Sequence, residues 1–177
     1  MKLKTIKIIS ILGIFSLSFL THYIYEFFPN IITSILFPIN ESLFEHMKLI
    51  FITYLIWNII EYILLKKNNY LYNFKPNLIL SFLLNIIIFL IIFYPIYLSF
   101  EHNLIVTLII YFISISVTQI ISYYILSSNK DFKILKKYFY IVIILLIIIS
   151  GLFTYYPLNN NFFIDYMNKK IGFSNYY

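Results

Sequence analysis

The sequence predicts an all-α protein, a polytopic transmembrane helix bundle of about five spans with its N-terminus inside and its C-terminus outside. Three observations predict it. Hydrophobic residues make up 62% of the 177 residues and charged ones only 11%, a balance that excludes a water-soluble domain. The apolar residues gather in five runs, each close to the roughly 20 residues a helix needs to cross a bilayer. The lysines between the runs alternate, so that Lys-bearing connections are followed by connections without any.

Span 1 covers about residues 6–27 and is preceded by Lys2, Lys4 and Lys7. Ser16-Leu17-Ser18 has the small-x-small form of a signal-peptide cleavage site. The apolar run continues past it through Phe19, Leu20, Tyr23 and Tyr25, too long for a signal core, so the segment reads as an uncleaved span. The connection 28–42 has no Lys, span 2 covers 43–65, and Lys66, Lys67 and Lys75 follow it. Span 3 covers 78–100; Ser81 and Asn85 share one of its faces and need partners inside the protein, and Pro95 is expected to kink its outer part.

The turn 101–103 has no Lys, and span 4 covers 104–126. Thr107, Tyr111, Ser114, Thr118 and Ser122 step along span 4 by four, three, four and four residues, which puts them on one helix face. The favoured reading is a packing seam, where small and hydroxylated residues let helices approach closely; the alternative is a polar pathway. Lys130, Lys133, Lys136 and Lys137 precede span 5 at 139–156, whose Ile and Leu around Val142 suit contact with lipid. Residues 157–177 form a tail on the outer side, where Lys169 and Lys170 lie too far from the last span to weigh on topology. No repeat and no Pro-, Gly- or Ser-rich linker divides the chain, which reads as one transmembrane domain, 1–177.

Composition narrows the chemistry. Cys is absent, which excludes disulfides, lipid anchoring through a lipobox and thiolate metal sites. Ala and Arg are absent too, while Ile, Asn, Lys, Tyr and Phe abound, the usage of an AT-rich genome. The net charge of +6 rests on Lys placed in particular loops, so it is a topology signal, and no nucleic-acid partner is expected. The expected partner is the lipid bilayer, and the expected location a bacterial cytoplasmic membrane crossed several times.

On this topology the polar residues sort by side. His22 and Glu26 close span 1, Asn40, Glu41, Ser42, Glu45, His46 and Lys48 open span 2, and Glu101 and His102 occupy the next outer turn. Ionisable groups at a membrane edge are costly, so such a cluster is a candidate site. His22 and Glu26 are four apart, as are Ser42 and His46, and Glu41 and Glu45, while Glu45 and Lys48 are three apart. Imidazole with carboxylate suits a divalent ion such as Zn²⁺ or Mn²⁺, and a metal near Ser42 or a water is equipped for hydrolysis at the bilayer surface. The structural alternative is local. Ser42-x-x-Glu45 has the form of a capping box, Glu41 and Glu45 suit the positive end of a helix dipole, and Lys48 can pair with Glu45. Capping alone leaves His46 and Lys48 unexplained. Glu61, near the inner end of span 2, is expected to pair with Lys66 or reach the interface.

The string Asn40-Glu41-Ser42-x-x-Glu45-His46-x-Lys48-Leu49 resembles the signature of an uncharacterised family of small multi-spanning membrane proteins from low-GC Gram-positive bacteria, a domain of unknown function. His22-x-x-Tyr25-Glu26, and a tail with Phe162-Phe163-Ile164-Asp165 and Gly172-Phe173, resemble the same family, so the likeness runs the length of the chain. Phe44 stands where the family has Trp, and the tail lacks its prolines. The resemblance implies the architecture and the site and brings no activity with it.

Three functions follow as expectations. The first is an integral membrane protein of unassigned role whose outer cluster, His22, Glu26, Asn40, Glu41, Ser42, Glu45, His46 and Lys48, binds an ion or polar ligand. The second is a metal-dependent intramembrane hydrolase acting on lipid or peptide, with His22, Glu26, Glu45 and His46 as ligands or acid–base groups and Ser42 secondary. The third is a small transporter. The cofactor this cluster suits is a divalent metal ion.

Overall fold

A computed structural model describes residues 1–99, 103–165 and 170–175; Glu101 and His102 lie outside the described residues. The chain is helical through most of its length, with α1 (Leu3–Phe27), α2 (Ile31–Leu36), α3 (Leu43–Lys67), α4 (Phe74–Ser99), α5 (Leu104–Ser127) and α6 (Lys133–Tyr155). Three two-residue strands follow, β1 (Ile164–Asp165), β2 (Lys170–Ile171) and β3 (Ser174–Asn175), antiparallel in the order β1-β2-β3. Among the described residues, five helices, all but α2, are long and apolar enough to cross a membrane. They are the helices of a multi-pass membrane protein, in which only internal hydrogen bonding can satisfy the backbone.

The residues group into two compact units, Met1–Leu17 with Tyr54–Lys137, and Ser18–Thr53 with Tyr138–Tyr177. In the first, α4 packs along α5. The five residues expected to form the α5 seam, Thr107, Tyr111, Ser114, Thr118 and Ser122, are all buried. Thr107, Ser114 and Thr118 donate to backbone carbonyls one turn back. Ser114 donates to Tyr111 O at 2.8 Å and Thr118 to Ser114 O at 2.8 Å, while Ser122 donates to Asn77 Oδ1 on α4 at 2.7 Å. This is a packing seam. Ser81 also donates to Asn77, at 3.4 Å, whereas Asn85 is fully buried and its amide meets no hydrogen-bonding partner among the described residues.

Gly13 makes room for the outer edge of the Trp57 ring. A Cβ at that position would lie 1.9–2.4 Å from three ring carbons. Glu61 departs from expectation: it is buried and pairs with Lys7 on α1, while Lys66 is exposed beside the Tyr62 ring. Burial decides this choice, because a carboxylate away from water needs a partner that is also away from water. Asn73 ties the connection after α3 to the end of α5, its amide reaching the carbonyls of Ile125, Ser128 and Lys130 at 2.8–3.2 Å.

In the second unit, the connection 28–42 holds α2, a helix too short to show in the hydropathy pattern. Asn30 Oδ1 accepts from Thr33 N at 3.0 Å and Thr33 Oγ1 accepts from Asn30 N at 3.1 Å, a reciprocal cap. The short helix docks on α6 through Ser34 and Tyr155, whose hydroxyls lie 2.8 Å apart, and through Ser150, which donates to Ile35 O at 2.7 Å. Ser150 and Thr154 are the buried residues of α6, consistent with an otherwise lipid-facing helix. The tail packs by its aromatic pair. The rings of Phe44, Phe153 and Phe163 lie 5.0–5.7 Å apart, and Phe44 N donates to Phe162 O at 3.1 Å. Gly172 turns β2 into β3 with φ 54°, and a Cβ there would meet Thr154 O at 2.8 Å.

Candidate functional site

The segment Asn40–Lys48 begins as a helix cap and then departs from one. Ser42 Oγ accepts from Glu45 N at 3.4 Å, the first half of the expected box. The second half is absent: Ser42 N donates to Asn40 Oδ1 at 3.0 Å, and the Glu45 carboxylate accepts from Ile39 N at 3.1 Å. Lys48 draws Glu45 inward. The two form an ion pair of 2.5 Å with both side chains almost completely buried. The Lys48 ammonium also donates to Ser34 O at 2.9 Å and to Thr154 Oγ1 at 2.8 Å, so its three protons all have acceptors. Thr154 in turn donates to Glu45 Oε1 at 3.4 Å. Satisfaction of this kind is what a buried pair requires to offset its desolvation.

Asn40 and Glu41 are fixed by the tail. Asn40 Nδ2 donates to Gly172 O at 3.1 Å, and Glu41 N donates to Asp165 Oδ2, on a fully buried carboxylate, at 3.1 Å. Asn40, Ser42, Glu45 and Lys48 therefore hold the backbone. The Glu41 carboxylate and His46 are presented elsewhere, toward His22.

His46 Nδ1 lies 3.0 Å from Ser42 O. A carbonyl can only accept, so Nδ1 carries a proton, and in the neutral form of the ring Nε2 is the nitrogen that presents a lone pair. That Nε2 lies 3.7 Å from Glu41 Oε2, and His22 Nε2 lies 3.4 Å from Glu41 Oε1. Both imidazoles thus address one carboxylate, an oxygen each, with ring centroids 6.3 Å apart at 72°. A hydrogen bond between Thr21 and Thr53, 2.7 Å, ties α1 to α3 beside His22.

One ligand atom from each of His22, Glu41 and His46 lies within 4.8 Å of the others. A tetrahedral zinc, at about 2.0–2.1 Å from its ligands, separates them by about 3.4 Å. The His22–Glu41 distance of 3.4 Å has that length, the 3.7 Å contact of His46 ends on the other carboxylate oxygen, and the donor set, two imidazoles and a carboxylate, is one zinc uses. The three side chains are 12–28% exposed, so an ion can reach them.

Of the sequence candidates, His22 and His46 come together as expected. The carboxylate between them is Glu41; Glu45 is engaged with Lys48, and Glu26 is exposed one turn beyond His22. Ser34, Thr154 and Asp165 complete the scaffold. Ser34 and Thr154 were not legible as partners, being ordinary hydroxyl residues in apolar segments.

Fold and site together define a multi-pass helical membrane protein with a polar His–Glu–His cluster held by a buried ion pair. The chain belongs to a family of unknown function, DUF6512, whose model matches residues 1–173. Comparisons with curated proteins and with solved structures gave no match.

Proposed function

We propose that this protein binds a divalent transition-metal ion of the zinc class through His22, Glu41 and His46, at the outer face of a bacterial cytoplasmic membrane, with its N-terminus inside and its C-terminus outside. One observation carries the reading: two Nε2 atoms converge on the two oxygens of a single carboxylate, with the His46 tautomer fixed by Ser42 O. The lysine alternation supports the orientation. Metal analysis of the purified protein tests it. About one equivalent of metal is expected, lost in His22→Ala, Glu41→Gln and His46→Ala. Wild-type protein that neither retains nor takes up Zn²⁺ would sink the reading.

The number of ligands favours a second reading. Three protein ligands are the complement of catalytic zinc, which keeps its fourth position for water. On that reading the protein is a metal-dependent hydrolase of lipid or peptide, and Glu26 is the carboxylate left for acid–base work. Glu26→Gln is then expected to keep the metal and lose turnover of a fluorogenic lipid ester or peptide. Metal-loaded protein inactive on both substrate classes would leave the binding role alone.

A further inference from the structure

The tail touches each piece of chain that carries one of the three candidate ligands. On α1, the Phe173 ring meets the Tyr25 ring at 6.2 Å, one turn past His22. On α3, Phe44 N donates to Phe162 O at 3.1 Å and the Phe44 ring lies 5.0 Å from that of Phe163, just before His46. Between α2 and α3, Asn40 Nδ2 donates to Gly172 O and Glu41 N to Asp165 Oδ2, both at 3.1 Å. The tail itself is secured on α6, where Phe163 packs against Phe153 and Phe173 against Tyr155. All of these residues belong to the second unit.

The three ligands differ in what fixes them. His22 stands within α1 and His46 within α3, and the hydrogen-bond ladder of each helix sets its backbone. Glu41 lies outside any helix or strand, so individual bonds place its backbone. Its own N–H donates to Asp165, a fully buried carboxylate, and the next N–H, of Ser42, donates to Asn40. The ligand held least by its own element is the one the tail fastens.

We propose that Asp165 is a positioning residue for Glu41, and that docking of the tail and binding of the metal stabilise each other. This rests on the reading of His22, Glu41 and His46 as a metal site. With Glu41 N secured, the carboxylate stands between the imidazoles before an ion arrives, and binding is spared the cost of ordering it. Outer partners that orient a ligand are worth about 10–100-fold in metal affinity. Coupling between two equilibria is reciprocal, so an ion that uses the placed carboxylate holds the tail down by the same factor.

Zinc titration and limited trypsin digestion of the purified full chain test both halves. Trypsin cuts after lysine, and Lys169 and Lys170 lie in the tail. Zinc should slow cleavage there about fivefold or more in the wild type. It should not do so in Glu41→Gln, which controls for an effect of zinc on the protease. Asp165→Ala removes the acceptor and should weaken zinc binding about tenfold or more. Asp165→Asn keeps an acceptor oxygen and should restore most of the affinity. A purely structural Asp165 would lower stability without making tail cleavage depend on zinc. Should Asp165→Ala fail to fold, digestion of the wild type against Glu41→Gln decides alone. Wild-type protein that binds zinc yet is cleaved at an unchanged rate, or unchanged zinc affinity in folded Asp165→Ala, overturns this inference and leaves the metal site standing. Wild-type protein that binds no zinc removes both.

Discussion

Glu41 and Glu45 stand four residues apart in one motif and have opposite environments. Glu45 is half of a buried ion pair, and Glu41 is partly exposed between two imidazoles. Breaking the buried pair leaves an uncompensated Lys48, so Glu45→Gln should destabilise the protein by about 3–5 kcal/mol in thermal unfolding. The double change Glu45→Leu with Lys48→Met should recover much of that loss, because apolar replacement of both partners removes the desolvation cost. Glu41→Gln should leave unfolding nearly unchanged and abolish metal retention. Metal affinity in the wild type should weaken as pH falls, because imidazole must be neutral to ligate; an affinity that rises on acidification counts against His22 and His46 as ligands. The sequence offered the Glu45–Lys48 pair through its spacing of three, but not the burial of that pair. Burial depends on Thr154, a hydroxyl 106 residues from Lys48 in the chain, which no local spacing brings to it.

At the scale of elements, the long helices were legible and the short pieces were not. A span of twenty-odd residues is written in hydropathy, and its polar face in a step of three or four, as the buried seam of α5 bears out. The six residues of α2 are too few for a periodicity, and strands of two residues carry none. Their positions are set by docking: α2 on Tyr155 and Ser150, the tail on Phe44 and Glu41. The seam carries its own prediction. Ser114→Leu adds volume where nothing is exposed, and should cost about 1–3 kcal/mol, whereas Ile113→Leu on the exposed face should be neutral in the same unfolding assay. Gly172→Ala forces a side chain onto Thr154 O at a positive φ, and should make the tail more susceptible to limited proteolysis.

At the scale of the whole molecule, hydropathy and lysine placement gave the number of crossings and an expected direction, and the direction awaits its own measurement. The chain has no cysteine, so single cysteines report cleanly. Asn129 precedes α6 and Asn159 follows it, and both are exposed. With the proposed orientation, an impermeant thiol reagent applied to intact cells should label Asn159→Cys and spare Asn129→Cys. The reverse pattern would invert the topology and move the His–Glu–His cluster to the cytoplasmic side. What the sequence could not convey at this scale was the Lys7–Glu61 pair, because Lys7 read as one more positive charge before the first span.

The bond from Glu41 N to Asp165 joins residues 124 positions apart. At a synthesis rate of about 5–20 residues per second, Glu41 leaves the ribosome about 6–25 s before the carboxylate that anchors its backbone exists. His22, Glu41 and His46 are thus made early and fastened late. Readiness of the cluster is tied to completion of the polypeptide, so a nascent chain halted before its tail presents the two imidazoles without a secured carboxylate between them.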